Sequence, residues 1–111
     1  MPGMIDIVSE DQLEALLNDN PGALLYFSGP ECNVCKVLRP KIEAMIEETY
    51  PQLPMAYVDC DAQREIAGQH RVFTIPTVLV FFDGREFVRK VRTFGIGELS
   101  REIERPYGML Y

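Results

Sequence analysis

Two cysteines stand three positions apart in "YFSGPECNVCKVLRPKIE", Tyr26 to Glu43, after a short apolar run and ahead of a helical pattern. Cys32-Asn33-Val34-Cys35 suits three chemistries: half of a metal site, a structural disulfide, or a reactive dithiol. A structural zinc takes about four ligands. Only Cys60 and His70 remain to complete such a set, and neither lies in a second Cys/His knuckle, so no metal is expected. A structural bridge over this spacing closes too short a loop to gain much stability. The dithiol reading suits the position best. Cys32 follows a buried strand and precedes a helix, so its sulfur lies beside unpaired backbone N–H groups, where the macrodipole favours a thiolate. Cys35 falls one turn further in and is less exposed, and Lys36 adds a cation. An outer cysteine that attacks a disulfide and an inner one that resolves the mixed disulfide would use this asymmetry.

The elements that must position the pair are legible around it. Ser9 and Gln12 have capping-box spacing, Leu13, Leu16 and Leu17 form a helical stripe, and Asn20-Pro21-Gly22 ends it. "ALLYFS" is a continuous apolar run of strand length, as a buried central strand requires. Val34, Val37, Leu38, Ile42, Met45 and Ile46 recur at helical spacing to about Thr49, with Pro40 inside the helix. "MAYVDCD" reads as a second buried strand and "AQREIAGQH" as a short helix. "TVLVFFDGREFVRKV" reads as a hairpin around Asp83-Gly84. "GIGELSREIER" closes the chain as an amphipathic helix with Ile96, Leu99 and Ile103 on one face. The order (β)αβαβαββα predicts parallel pairing through right-handed crossovers, then an antiparallel hairpin. The expected class is α/β, a mixed central sheet with helices on both faces, in a single domain over 1–111.

Bulk properties narrow the function. A length of 111 residues fits one domain, and 47% hydrophobic with 25% charged residues is ordinary for a folded protein. The net charge of -6 argues against nucleic acid as a partner. No apolar run approaches the roughly 20 residues that span a bilayer, and the first residues carry no basic-then-apolar leader pattern. A cytoplasmic protein without a membrane partner is expected. Three cysteines, an odd number with one local pair, point to redox or metal chemistry rather than stapling.

From Tyr26 to about Ile103 the chain resembles the thioredoxin family. The likeness rests on the strand into "ECNVCK", Pro40 in the following helix, the "VDCD" strand end, "TIPTVLVFFDG" and the closing helix. It implies the thioredoxin fold and a protein-disulfide oxidoreductase, with Cys32 as nucleophile and Cys35 as resolving thiol. It implies that Pro76 is cis against the cysteine pair and that the Ile75 backbone docks an extended client. Taken alone, without this resemblance, the residues would favour a trans proline opening an edge strand. It further implies no organic cofactor beyond the redox-active Cys32–Cys35 disulfide, clients that carry disulfides, and a dedicated disulfide reductase as electron donor.

The departures from the family are specific. Its usual Trp-Cys-Gly-Pro-Cys run has Glu31 for Trp and Asn33-Val34 for Gly-Pro, a dipeptide whose identity tunes redox potential in the family. Glu31 opposes a thiolate on Cys32, whereas Lys36 favours it. The family's buried Asp and its Lys partner match Tyr26 and Tyr57, a paired loss that strands no single charge. A small residue beside the active site, usually Gly, matches Arg92, read either as solvated or as a cation that rims the groove and selects acidic partners. Cys60 is expected to be a buried, inert thiol, His70 a surface helix-end residue, and Asp59 and Asp61 caps or solvent-facing groups. "PYGMLY", 106–111, is expected beyond the last helix, packed back on the domain. A reading of another class is a binding module or partner-specific adaptor on this fold, with little general reductase activity.

Overall fold

The computed structural model describes residues 3–111. Its elements are β1 Met4–Asp6, α1 Glu10–Asp19, β2 Gly22–Ser28, α2 Asn33–Thr49, β3 Met55–Asp59, α3 Arg64–Gln69, β4 Thr77–Phe82, β5 Arg85–Val91 and α4 Ile96–Leu110. They form a five-stranded sheet in the order β1-β3-β2-β4-β5. β3 pairs in parallel with both β1 and β2, while β4 runs antiparallel to β2 and to β5. β2, a continuous apolar run, lies at the centre and is buried along its whole length. The mixed sheet and the element order agree with the sequence.

Alternation along the strands divides the core into two layers. Leu24, Tyr26, Val78, Val80 and Phe82 face α2 and α4, where they meet Ile42, Ile46, Leu99 and Ile103. Leu25, Phe27, Val58, Leu79 and Phe81 face the other way, toward Leu13 of α1 and Ile66 of α3. Each such side chain fully buried contributes roughly 1.5–3 kcal/mol of transfer free energy.

Local signals are realised at the expected places. Ser9 Oγ accepts from the Gln12 N–H at 3.1 Å and opens α1. Gln12 Oε1 accepts in return from the Val8 N–H at 2.7 Å, one residue before the cap. Asp83 and Gly84 both take positive φ, 55° and 75°, as a two-residue hairpin of the right twist demands. A bulge between Val80 and Phe81 shifts the register against β5.

Two boundaries differ from expectation. β3 stops at Asp59, so Cys60 lies in a turn rather than in the strand. The last helix runs on through Pro106 to Leu110, so most of the 106–111 tail is helical. A proline inside a helix costs about 3 kcal/mol or more. Here aromatic contacts offset that cost. Tyr107 meets Tyr50 edge-on at 4.8 Å and stacks on Tyr111 at 4.7 Å. The Tyr111 hydroxyl accepts from the Gly22 N–H at 3.0 Å, which ties the chain end to β2. Tyr107 and Tyr111 pack inward as expected, but Met109 and Leu110 remain exposed.

Candidate active site

β2 carries the chain to the edge of the sheet and, through Gly29-Pro30-Glu31, to the start of α2. Cys32 is the N-cap of that helix, with φ -91° and ψ 103°, and its sulfur accepts the Cys35 N–H at 3.1 Å. Cys32 and Cys35 form a disulfide with their Cα atoms 5.2 Å apart. Cys32 is half-buried, whereas Cys35 is only 2% exposed, so one sulfur of the pair is open to attack and the other is shielded. Negative charge on Cys32 is favoured by the helix N-terminus and by the hydrogen bond it already accepts. Glu31, Asn33, Val34 and Lys36 are exposed around it.

Beneath the pair the sequence departs most from its resemblance, and the structure shows what fills the space. Tyr26 is fully buried, and its hydroxyl donates to the Cys35 carbonyl at 2.8 Å. Burial, reinforced by Tyr57, pushes its phenol up to about 12, so it stays protonated at neutral pH. Tyr57 lies directly opposite Tyr26 in the β2–β3 register, with ring centroids 6.2 Å apart. The Arg39 guanidinium sits 4.6 Å above the Tyr57 ring and pairs with Glu43 at 3.3 Å. Arg39 is a residue that motif reading missed. Its spacing was the available signal, because a residue one turn after Cys35 on α2 falls on the same helix face.

A second segment closes on the pair. The Ile75–Pro76 bond is cis, as the resemblance implies. Pro76 is buried and Ile75 half-buried, in the cluster that also holds Cys32. A Cβ placed on Gly29 would lie 3.1 Å from Ile75 Cδ1, so this segment touches the loop that leads to Cys32. The Ile75 backbone N–H and C=O have no hydrogen-bond partner among the described residues. The Arg92 N–H donates to the Pro76 carbonyl at 2.8 Å, and Arg92 holds φ at 60°, in the left-handed region. Arg92 lines a groove of about 450 Å³ along the first turns of α2.

The remaining candidates lie apart from the dithiol. Cys60 is half-buried rather than buried, and burial, with Asp59 and Asp61 beside it, pushes its thiol up to about 11. His70 ends α3 as expected but is not fully exposed. It is half-buried with Phe27 and Phe81 at 5.9 and 5.6 Å, and burial lowers its pKa. Asp59 caps a turn, accepting from the N–H groups of Asp61 and Ala62 at 2.9 and 3.2 Å, and Asp61 faces water. Among the described residues, no three His, Cys, Asp or Glu side chains gather as a metal site. None of the described helices is long and apolar enough to cross a membrane.

The family model described as thioredoxin matches residues 4–104. The chain is 30% identical over 107 residues to the thioredoxin-like protein YdfQ of Bacillus subtilis, covering 96% of this chain and 92% of that one. It is 29% identical over 99 residues to the bifunctional thioredoxin reductase/thioredoxin of Mycobacterium leprae, covering 89% of this chain but 22% of the longer protein. Among solved structures, Fasciola hepatica thioredoxin superposes with a TM-score of 0.83 at 29% identity, covering 92% of this chain and 98% of that one.

Proposed function

This chain belongs to the thioredoxin family and is a thiol–disulfide oxidoreductase; on that premise we propose that Cys32 is its nucleophile, Cys35 its resolving thiol, and the Ile75–Pro76 backbone its client dock. The observation that carries this is the asymmetry of the pair. One sulfur caps a helix at the surface, and the other is buried over Tyr26. The Cys32 thiolate attacks one sulfur of a client disulfide, forms a Cys32–client bond, and releases the other client sulfur as a thiolate. The Cys35 thiol loses its proton and attacks Cys32 Sγ. The second client thiolate leaves, and Cys32–Cys35 is left oxidised. Two electrons and two protons pass to the client in all, and no organic cofactor enters.

Restoring the dithiol takes two electrons from a disulfide reductase. A dedicated reductase is supported by the Mycobacterium leprae relative, whose name joins both activities. The reading places the cycle in the cytoplasm, where thiols are kept reduced. Tyr26, a phenol held protonated, cannot take the proton from Cys35, so water or the departing client thiolate accepts it. Glu31, Asn33, Val34, Lys36 and Tyr57 set the potential and the rate rather than the chemistry.

Insulin reduction tests the reading. The wild type turns over, and Cys32→Ser does not. Cys35→Ser leaves clients bound covalently through Cys32. Silence in the insulin assay with an intact dithiol would favour the adaptor or a narrow-specificity enzyme instead. Equal trapping by both variants would reverse or remove the assigned roles.

A further inference from the structure

The groove beside the dithiol combines apolar and cationic lining residues. Val34, Val37, Leu38 and Phe94 line it together with Lys41 and Arg92. Val34 and Val37 are each 60% exposed, although an apolar side chain on the first turns of a helix gains nothing from water. No acidic residue lines the groove. Among the described residues, neither Lys41 nor Arg92 makes an ion pair, whereas Lys90 and Arg89 are both paired with glutamates. In a chain of net charge -6, two cations without ion-pair partners line this one apolar groove, where they favour an acidic ligand. Arg92 holds its place at a backbone cost, since φ of 60° suits glycine and not a long side chain.

Resting on the oxidoreductase reading above, we propose that this groove selects client segments that set a carboxylate beside an apolar residue, with Arg92 and Lys41 as the specificity-determining cations. The apolar client side chain lies on Val34, Val37 and Phe94, and its acidic neighbour meets the two cations. Glu31, exposed next to Cys32, opposes a carboxylate at the sulfur itself. The client's acid therefore lies along the groove rather than at its cystine. Only the rate of docking is at issue, and the exchange chemistry is that given above.

The test is single-turnover reduction of synthetic peptides, each with one internal disulfide and a Leu flanked by Glu, Gln or Lys. The readout is the Glu-to-Lys rate ratio within each protein variant, so any general change in rate cancels. An exposed ion pair supplies up to about fivefold. The wild type is then expected to favour Glu by about tenfold at low salt, where both cations contribute and screening is weakest. The ratio falls as salt rises. Arg92→Gly, which relieves the backbone, and Lys41→Gln each lower it about threefold, and the double variant brings it close to one. A wild-type ratio near one, or a ratio that the double variant leaves unchanged, overturns the proposal. If insulin is reduced while the ratio is one, this proposal alone fails. If neither insulin nor any peptide is reduced, the oxidoreductase reading fails and the proposal falls with it.

Discussion

Cys32 and Cys60 follow two neighbouring parallel strands at the same edge of the sheet, and they share little beyond the sulfur. Ser28 and Asp59 are register partners at the ends of β2 and β3, and the Cys60 N–H donates to the Ser28 carbonyl at 2.9 Å. After Ser28 the chain turns into a helix, and Cys32 becomes its cap, with an N–H directed at its sulfur. After Asp59 it enters a tight turn, and burial, helped by the neighbouring Asp59 and Asp61 carboxylates, keeps the proton on Cys60. On the proposed roles, the same side chain attacks in one place and is a spectator in the other. The difference lies in what surrounds each sulfur: burial and two neighbouring carboxylates keep the proton on Cys60, whereas a helix N-terminus and a backbone N–H face Cys32.

The largest way to break the contrast is to change what lies under the reactive pair. Tyr26→Asp removes the hydroxyl bonded to the Cys35 carbonyl and buries a carboxylate in its place. An uncompensated buried charge costs about 3–5 kcal/mol. The Arg39 guanidinium, whose charge already lowers the Tyr26 phenol against the effect of burial, recovers part of that. The expected result is a loss of about 2–3 kcal/mol in a denaturant melt, with faster resolution by Cys35 near pH 7. Stopped-flow reduction of a model disulfide from pH 6 to 9 reads the rate. An unchanged rate–pH profile in a folded variant would show that position 26 does not couple to Cys35.

The smaller effect sharpens the contrast from the other side. Cys60→Ala is expected to leave insulin reduction unchanged and to cost about 1 kcal/mol or less in stability. It also changes the alkaline limb of the stability curve. The Cys60 thiol is raised in the fold from an ordinary value of 9.0 to about 11, so the unfolded chain loses this proton first. Its contribution is complete below about pH 9 and is lost as pH rises toward 11. In melts across pH 8–11 the wild type's advantage over Cys60→Ala should therefore shrink and then reverse toward the alkaline end. A constant gap would mean that the Cys60 thiol is not perturbed, and a loss of activity would mean that it takes part in exchange.

What the sequence showed was local, and what it hid was tertiary. The cap at Ser9 and the turn at Asp83-Gly84 need only neighbours in the chain, and both are present as read. The dithiol corner is likewise a strand followed directly by a helix. His70 reads as a surface residue because nothing next to it in sequence buries it. Phe27 and Phe81, from two different strands, do so. Pro106 reads as the end of a helix because the local rule is sound. Tyr50 and Gly22, far away in the chain, overrule it through Tyr107 and Tyr111. Cys60 reads as a strand residue because "MAYVDCD" stays apolar in pattern, whereas pairing ends one residue earlier.

The most direct measurement is peptide-mapped alkylation of the fully reduced protein by iodoacetamide at pH 7. Cys32 is expected to be modified first and fast, Cys35 slowly because it is shielded, and Cys60 scarcely at all until pH approaches 11. Modification of Cys60 or Cys35 at a rate equal to or above that of Cys32 would contradict the assignment of Cys32 as the nucleophile.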